Sequence, residues 1–332
     1  MTEAGARTQG VAREAVLWMF LFIVSVCAAS GAAAADYPSR PIRMVVPWPA
    51  GGPTDAVARV LAHQMSERLG QQVVVDNKGG ATGTIGSDSV AKAAPDGYTI
   101  VVAGTASHAL AKIVNDRLSY DPLKDFRPIV EYARYPVGLM VSSALPVRTL
   151  SEFVAYSKTV KDGLAIGIPG AGAVSHVYGQ LLAVKTGARL LFVAYRGDAP
   201  ARTDLLAGNI QGISSTPDFQ LIADGKARLI GSTGTERWPQ MPDVPTFAEA
   251  GYPDLVAFIV WGFAAPAGTP DEPVQRLNAA VNAALKVDQV RHVMAENAYF
   301  ESGGAPDVLW TTFASQIAEY EQLARSGVIK FE

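Results

Sequence analysis

The chain has 332 residues, beyond the ~250–300 at which single cores usually divide, so two domains are expected. It is 49% hydrophobic and 18% charged, with a net charge of −3. With no block of like charge, it has neither the footprint of a nucleic-acid binder nor a basic membrane-surface patch.

Residues 1–35 differ from the rest. Arg7 and Arg13 precede an apolar run from Val16 to Cys27, followed by small residues ending in Ala32-Ala33-Ala34-Ala35. This pattern predicts a secretory signal peptide cleaved near Ala35, and so a periplasmic protein. The alternatives are an uncleaved anchor, for which the run is short, and a lipid on Cys27, for which Val26 is bulky. The segment carries two arginines and two glutamates, so cleavage leaves the net charge unchanged. Cleavage also removes Cys27, the only cysteine. The mature chain then has no disulfide framework and no cysteine nucleophile.

From Asp36 onward, apolar runs of about five residues alternate with longer stretches at helical spacing, the pattern of βαβ units and mainly parallel sheets flanked by helices. Ile42–Val46, Val73–Val75 and Thr99–Val102 read as strands. A helix from Pro53 to Leu69 places Val57, Leu61, Met65 and Leu69 on one face and stops at Gly70. Thr84–Ala93 reads as a second helix, closed by Pro95-Asp96-Gly97. The pattern restarts near Pro146: helix Ser151–Thr159, strand Leu164–Ile168, helix Ala173–Thr186, strand Leu190–Ala194, helix Ala199–Ala207 and a short strand near Leu229. After Trp261 the chain reads as mostly helical, with Glu272–Leu285 and Val308–Ala324 as long elements. No low-complexity linker separates the halves. Two lobes fit this order, with crossings near 140 and 260: residues 36–140 with 260–332 form lobe 1, 141–259 form lobe 2, and a ligand cleft lies between them.

Two glycine-rich strand-to-helix loops are the candidate binding elements. In Trp48-Pro49-Ala50-Gly51-Gly52-Pro53-Thr54-Asp55, the glycines allow a sharp turn, Pro53 suits a first helical position, and Asp55 complements the helix dipole. The unpaired N–H groups of such a helix start form an anion site without any cationic side chain. In Gly170-Ala171-Gly172-Ala173-Val174-Ser175-His176, a second loop opens a helix. It falls one residue short of a dinucleotide fingerprint, and Tyr195-Arg196 stand where a ribose would need an acid. Plain turns remain the alternative for each loop taken alone, but equivalent positions in two lobes favour ligand binding beyond the strands' carboxyl ends. Asp198 and Ala199 sit at a third strand-to-helix corner, and Thr105 and Ser107 on a hydroxyl-rich loop of the first lobe. His63, His108, His176 and His292 have no metal-ligand spacing, and no Gly-x-Ser-x-Gly elbow or phosphate-binding P-loop occurs. No metal, cofactor or catalytic residue is expected.

Taken together, Pro47 to Asp55, Asn77 to Gly86, Ala94-Pro95-Asp96-Gly97-Tyr98, Tyr195 to Ala201, Pro242 to Gly251 and Trp261-Gly262 leading to Pro270 resemble the periplasmic Bug receptors of the tripartite tricarboxylate transporter family. The resemblance covers nearly all of the mature chain. It implies a two-lobed type II periplasmic binding protein fold that closes on a small carboxylate-bearing solute, and delivery to membrane permease subunits by a monomeric receptor. It further implies that the loops at 47–55 and 168–176 grip one ligand carboxylate through backbone N–H groups and ordered waters. The sequence departs from the family pattern at Ile168-Pro169, Ala173, Gly79, Thr82 and Thr84, and above all at Asp198, where a glycine is usual. The ligand classes are then a di- or tricarboxylate, an amino acid or an aromatic acid; a carboxylate at Asp198 repels a second ligand carboxylate and attracts an ammonium group, which counts against a simple dicarboxylate and leaves an amino acid, a heteroaromatic acid or another nitrogenous ligand open. The alternative functions are an exported α/β hydrolase or lyase and a sensor that presents its ligand to a membrane kinase.

Overall fold

The computed structural model describes residues 36–329. The expected signal peptide and its cleavage site lie outside them. The first sheet contains β1 (Ile42–Val46), β2 (Val73–Asn77), β3 (Thr99–Gly104), β4 (Phe126–Tyr135), β10 (Ile259–Pro266) and β11 (Phe300–Glu301), in the order β11-β4-β10-β3-β1-β2. The second contains β5 (Gly138–Ser142), β6 (Leu164–Ile168), β7 (Leu190–Ala194), β8 (Gly212–Ser215) and β9 (Ala227–Ser232), in the order β7-β6-β8-β5-β9. The fold is α/β as expected, but both sheets are mixed rather than mainly parallel. β1 pairs in parallel with β2 and β3, and β6 with β7 and β8, through helical crossovers. β10 runs antiparallel to β3 and β4, and β5 antiparallel to β8 and β9. The antiparallel strands are the ones at which the chain passes between sheets, where no helix intervenes to restore direction.

The helices start and stop where backbone chemistry dictates. α1 (Pro53–Leu69) begins with Pro53 in its first turn, where the missing N–H costs nothing, and ends on Gly70 in the left-handed conformation. α2 (Thr84–Ala91) and a single turn, α3 (Ala111–Val114), flank β3, and a π-type turn, Thr105–Leu110, precedes α3. In the second lobe come α4 (Leu150–Thr159), α5 (Val174–Thr186), α6 (Asp198–Ala207) and α7 (Phe219–Ala223). α8 (Asp271–Ala284), α9 (Asp288–Glu296) and α10 (Asp307–Arg325) follow β10. Gly262 lets α10 lie directly on β10, since a Cβ there would meet Leu309 Cδ2 and the Val130 carbonyl at 2.5 Å each.

One apolar core runs from Val45, Val101 and Phe126 through Phe313 and Tyr320 of α10 to Phe153, Leu164 and Leu181. α10 therefore packs on both lobes, and Tyr178 of α5 donates to Glu319 Oε1 at 2.6 Å. The chain crosses at 136–137, since Gly138 already pairs with Ser215 and Ser232 in the second sheet. It returns at 257–258. Buried Thr233 joins the two crossings: its backbone N–H donates to the Val137 carbonyl, and its carbonyl accepts the Ala257 N–H. Its hydroxyl accepts from the Val137 N–H at 2.8 Å and donates to the Ala257 carbonyl at 2.7 Å.

Candidate functional site

The carboxyl ends of the parallel strands and the starts of four helices, α1, α5, α6 and α7, converge on a cavity of about 550 Å³. Such a volume suits a small organic ligand. From the first lobe, Trp48, Thr54, Tyr135, Trp261 and Tyr299 line it, and from the second, Gly170, Ala171, Ser175, Asp198, Ser215 and Asp218. The aromatic wall is ordered: Trp48 meets Trp261 edge-on at 4.4 Å, and Tyr135 stacks on Tyr299 at 5.0 Å. Thr54 Oγ1 lies 3.4 Å from the Tyr299 hydroxyl.

α7 is capped by the Asp218 side chain, and the three uncapped helix starts differ in one respect. α1, α5 and α6 are preceded by Gly52, Ala173 and Gly197, and none receives a side-chain cap. Each therefore leaves its first N–H groups without a helical partner. α1 and α6 carry their own acids in the first turn, Asp55 and Asp198, whereas α5 has none. At the start of α5 stands Ser175, 1% exposed, whose Oγ has no hydrogen-bond partner. The α5 start is thus the uncompensated positive end facing the cavity.

The sequence-derived candidates divide accordingly. Trp48, Thr54, Gly170, Ala171, Ala173, Ser175 and Asp198 line the cavity. Pro49, Ala50 and Gly51 are exposed, and Gly52 is the half-buried cap residue behind Pro53. Asp55 turns away into the loop: its carboxylate accepts from the Gly51 N–H, Arg59 Nε and Asn77 Nδ2, each at 2.9 Å. Burial raises its pKa, but these hydrogen bonds and the Arg59 charge outweigh that and hold it below the usual carboxylate value. Gly172 donates its N–H to His176 Nδ1 at 3.2 Å, so His176 braces the glycine loop from behind. Burial lowers the His176 pKa and keeps the ring a neutral acceptor. Thr105 donates to Gln316 Oε1 and accepts from the Val260 N–H, and Ser107 pairs with Gly104 and His108. Both anchor the π-type turn, while Ala106 between them faces the cavity. Ala199 is exposed on α6.

Asp198 is the first residue of α6, held there by Gly197 at φ 96°, a left-handed conformation that suits glycine. Its Oδ1 is enclosed and has no hydrogen-bond partner. Burial raises its pKa, the Ser215 hydroxyl and the Arg202 charge oppose the rise, and Asp218 adds to it. Asp218 is itself committed: Oδ1 caps α7 by accepting the Leu221 N–H at 2.9 Å, and Oδ2 pairs with Arg202 Nε at 3.1 Å.

Sequence reasoning did not single out Tyr135, Arg202, Ser215, Asp218 or Tyr299 as site residues. An aromatic residue ending a strand before Pro136 was the available signal for Tyr135. Ser215 and Asp218 were hidden because β8, Gly212-Ile213-Ser214-Ser215, is too short and polar to read as a buried strand. Among the described residues no cluster of three or more histidine, cysteine or acidic side chains has metal-holding geometry, and no helix is long and apolar enough to cross a membrane.

Two lobes around a ligand-sized cavity define a solute-binding protein. Residues 57–308 match the family described as the tripartite tricarboxylate transporter family receptor. The chain belongs to that family. It is 35% identical to the periplasmic binding protein BugD, with a TM-score of 0.77 over 88% of this chain and 99% of that one. The R. palustris protein Rpa4515, solved with adipate, is 34% identical with a TM-score of 0.79 over 87% and 98% of the two chains. MatC from Rhodopseudomonas palustris, with bound malate, is 34% identical with a TM-score of 0.76 over 86% and 99%. The family and these neighbours are binding receptors rather than enzymes.

Proposed function

We propose that this protein is an exported, periplasmic and monomeric receptor that captures a small carboxylate-bearing solute and delivers it to the membrane subunits of a tripartite tricarboxylate-type transporter. The start of α5 carries the reading. It is uncapped, has no acid in its first turn, and places the unpartnered Ser175 Oγ at the cavity wall, which suits a carboxylate. The adipate and malate held by two neighbours are of the same chemical class. Residues 40–136 with 258–329 form one lobe and 137–257 the other. The ligand occupies the cavity between them, and its binding selects a closed form that the membrane partner recognises.

A thermal-shift screen of purified protein tests this, after unfolding and refolding to strip any bound ligand. The panel contains carboxylates, amino acids and aromatic acids. Ligand at 100 times its dissociation constant stabilises by about 2.7 kcal/mol, enough to move the melting temperature by several degrees. A flat response across the panel would remove the reading.

A further inference from the structure

Four ionisable side chains other than tyrosine line the cavity: the acids Asp198, Asp218 and Glu296, and one base, Arg202. Arg202 is already paired with Asp218, and Glu296 lies 3.2 Å from His292 on the helix surface. The carboxylate left facing the interior without a cation paired to it is Asp198. Enclosing an ionised carboxylate is costly unless something returns the lost hydrogen bonds. The Ser215 hydroxyl returns part of them, and Oδ1 receives none. Ser175 Oγ, at the start of the neighbouring α5, is a second buried polar atom on the same wall without a partner. Among the described residues eight buried side-chain atoms lack a partner, and those on cavity-lining residues are these two and Trp261 Nε1, so a ligand seated on this wall meets polar groups whose hydrogen bonds are not already taken.

The chemistry of the two positions is opposite. Asp198 accepts hydrogen bonds and carries negative charge, whereas the start of α5 offers N–H donors and the positive end of a dipole. A dicarboxylate satisfies the second and is repelled by the first. Building on the carboxylate-receptor reading, we infer that the cavity recognises an amino carboxylate: its carboxylate lies at the start of α5, and its ammonium group donates to Asp198 beside Ser215.

The test uses paired probes that differ by exchange of one carboxylate for an aminomethyl group: succinate with 4-aminobutyrate, glutarate with 5-aminopentanoate, and adipate with 6-aminohexanoate. Each is titrated calorimetrically into refolded wild-type protein and the Asp198→Asn variant at pH 7. In at least one pair the amino acid should bind the wild type about tenfold or more tightly than its partner, and Asp198→Asn should erase that preference. Dicarboxylates binding more tightly in every pair, or a preference that survives Asp198→Asn, would overturn the inference and leave the carboxylate receptor standing. A nitrogen-free acid emerging as the best ligand of the broader screen would do the same. Silence from every carboxylate, with or without nitrogen, would remove the receptor reading itself.

Discussion

Replacing Asp55 with alanine separates two roles for the first glycine loop. The side chain is 4% exposed, and its carboxylate gathers Gly51, Arg59 and Asn77 through three hydrogen bonds of 2.9 Å. A hydrogen bond to a charged group contributes about 1.5–3 kcal/mol when enclosed. Arg59 is half exposed and Gly51 is exposed, so water recovers much of two of the three bonds. The net loss for Asp55→Ala is then about 3 kcal/mol, or roughly 4–5 °C in melting temperature for a chain of this size. Because its folded-state pKa is lowered, the contribution is complete above the unfolded-state value and disappears as pH falls through the folded-state one. Urea unfolding of wild type and variant at pH 7, and again near pH 3, measures both. Unchanged stability with binding abolished would refute the loop-brace role and make Asp55 a ligand contact.

Four other outcomes follow from named contacts. Ser175→Ala should leave the ligand-free protein as stable or slightly more so, by removing an unpaired buried hydroxyl, while weakening ligand binding about tenfold; melting and calorimetry on one preparation check both signs. Thr82, a β-branched residue at φ 56° and ψ 34°, is strained, so Thr82→Gly should raise stability by about 0.5–1 kcal/mol in urea titration despite glycine's entropy. Thr233→Val deprives the buried Val137 N–H and Ala257 carbonyl of their hydroxyl partner and should destabilise by about 2 kcal/mol. Acidification should weaken binding of an ammonium ligand above the usual carboxylate range, because the raised pKa of Asp198 lets it protonate early, with Ser215, Arg202, Asp218 and Tyr135 as its polar and charged neighbours; titrations from pH 7 to pH 4.5, repeated with Asp198→Asn, would show it.

The parts of the fold legible in the sequence were those with one simple period. β1, α1, β6 and β7 fall at the residues their apolar patterns indicate, and α5 differs by one residue because Ala173 is its cap. β4, β5 and β10 were not read as strands. They contain runs that are buried at every residue, such as Gly138–Val141, and so lack the alternation that marks a half-buried strand. Ile259–Pro266 was further disguised by small residues, whose purpose is the close approach of α10.

The site was legible where backbone chemistry announces itself. Glycine, a helix start and a missing acid can be read in order along the chain, and so the loops at 48–54 and 170–175 were found. Whether a side chain faces the cavity or the loop behind it cannot be read that way. Asp55 and Asp198 both occupy the first turn of a helix, yet one is consumed by Arg59 and Asn77 and the other is left with a free oxygen. That difference depends on what the next strand supplies: Asn77 of β2 bonds Asp55, whereas β8 leaves Asp198 Oδ1 without a partner.

The central claim is that the ligand lies between the two sheets with a carboxylate on the start of α5. A crystal structure with the best ligand from the screen tests it most directly. The account expects carboxylate oxygens within hydrogen-bonding reach of the Val174 and Ser175 N–H groups and of Ser175 Oγ. A ligand seated away from α5, or turned so that its carboxylate avoids those donors, would contradict it.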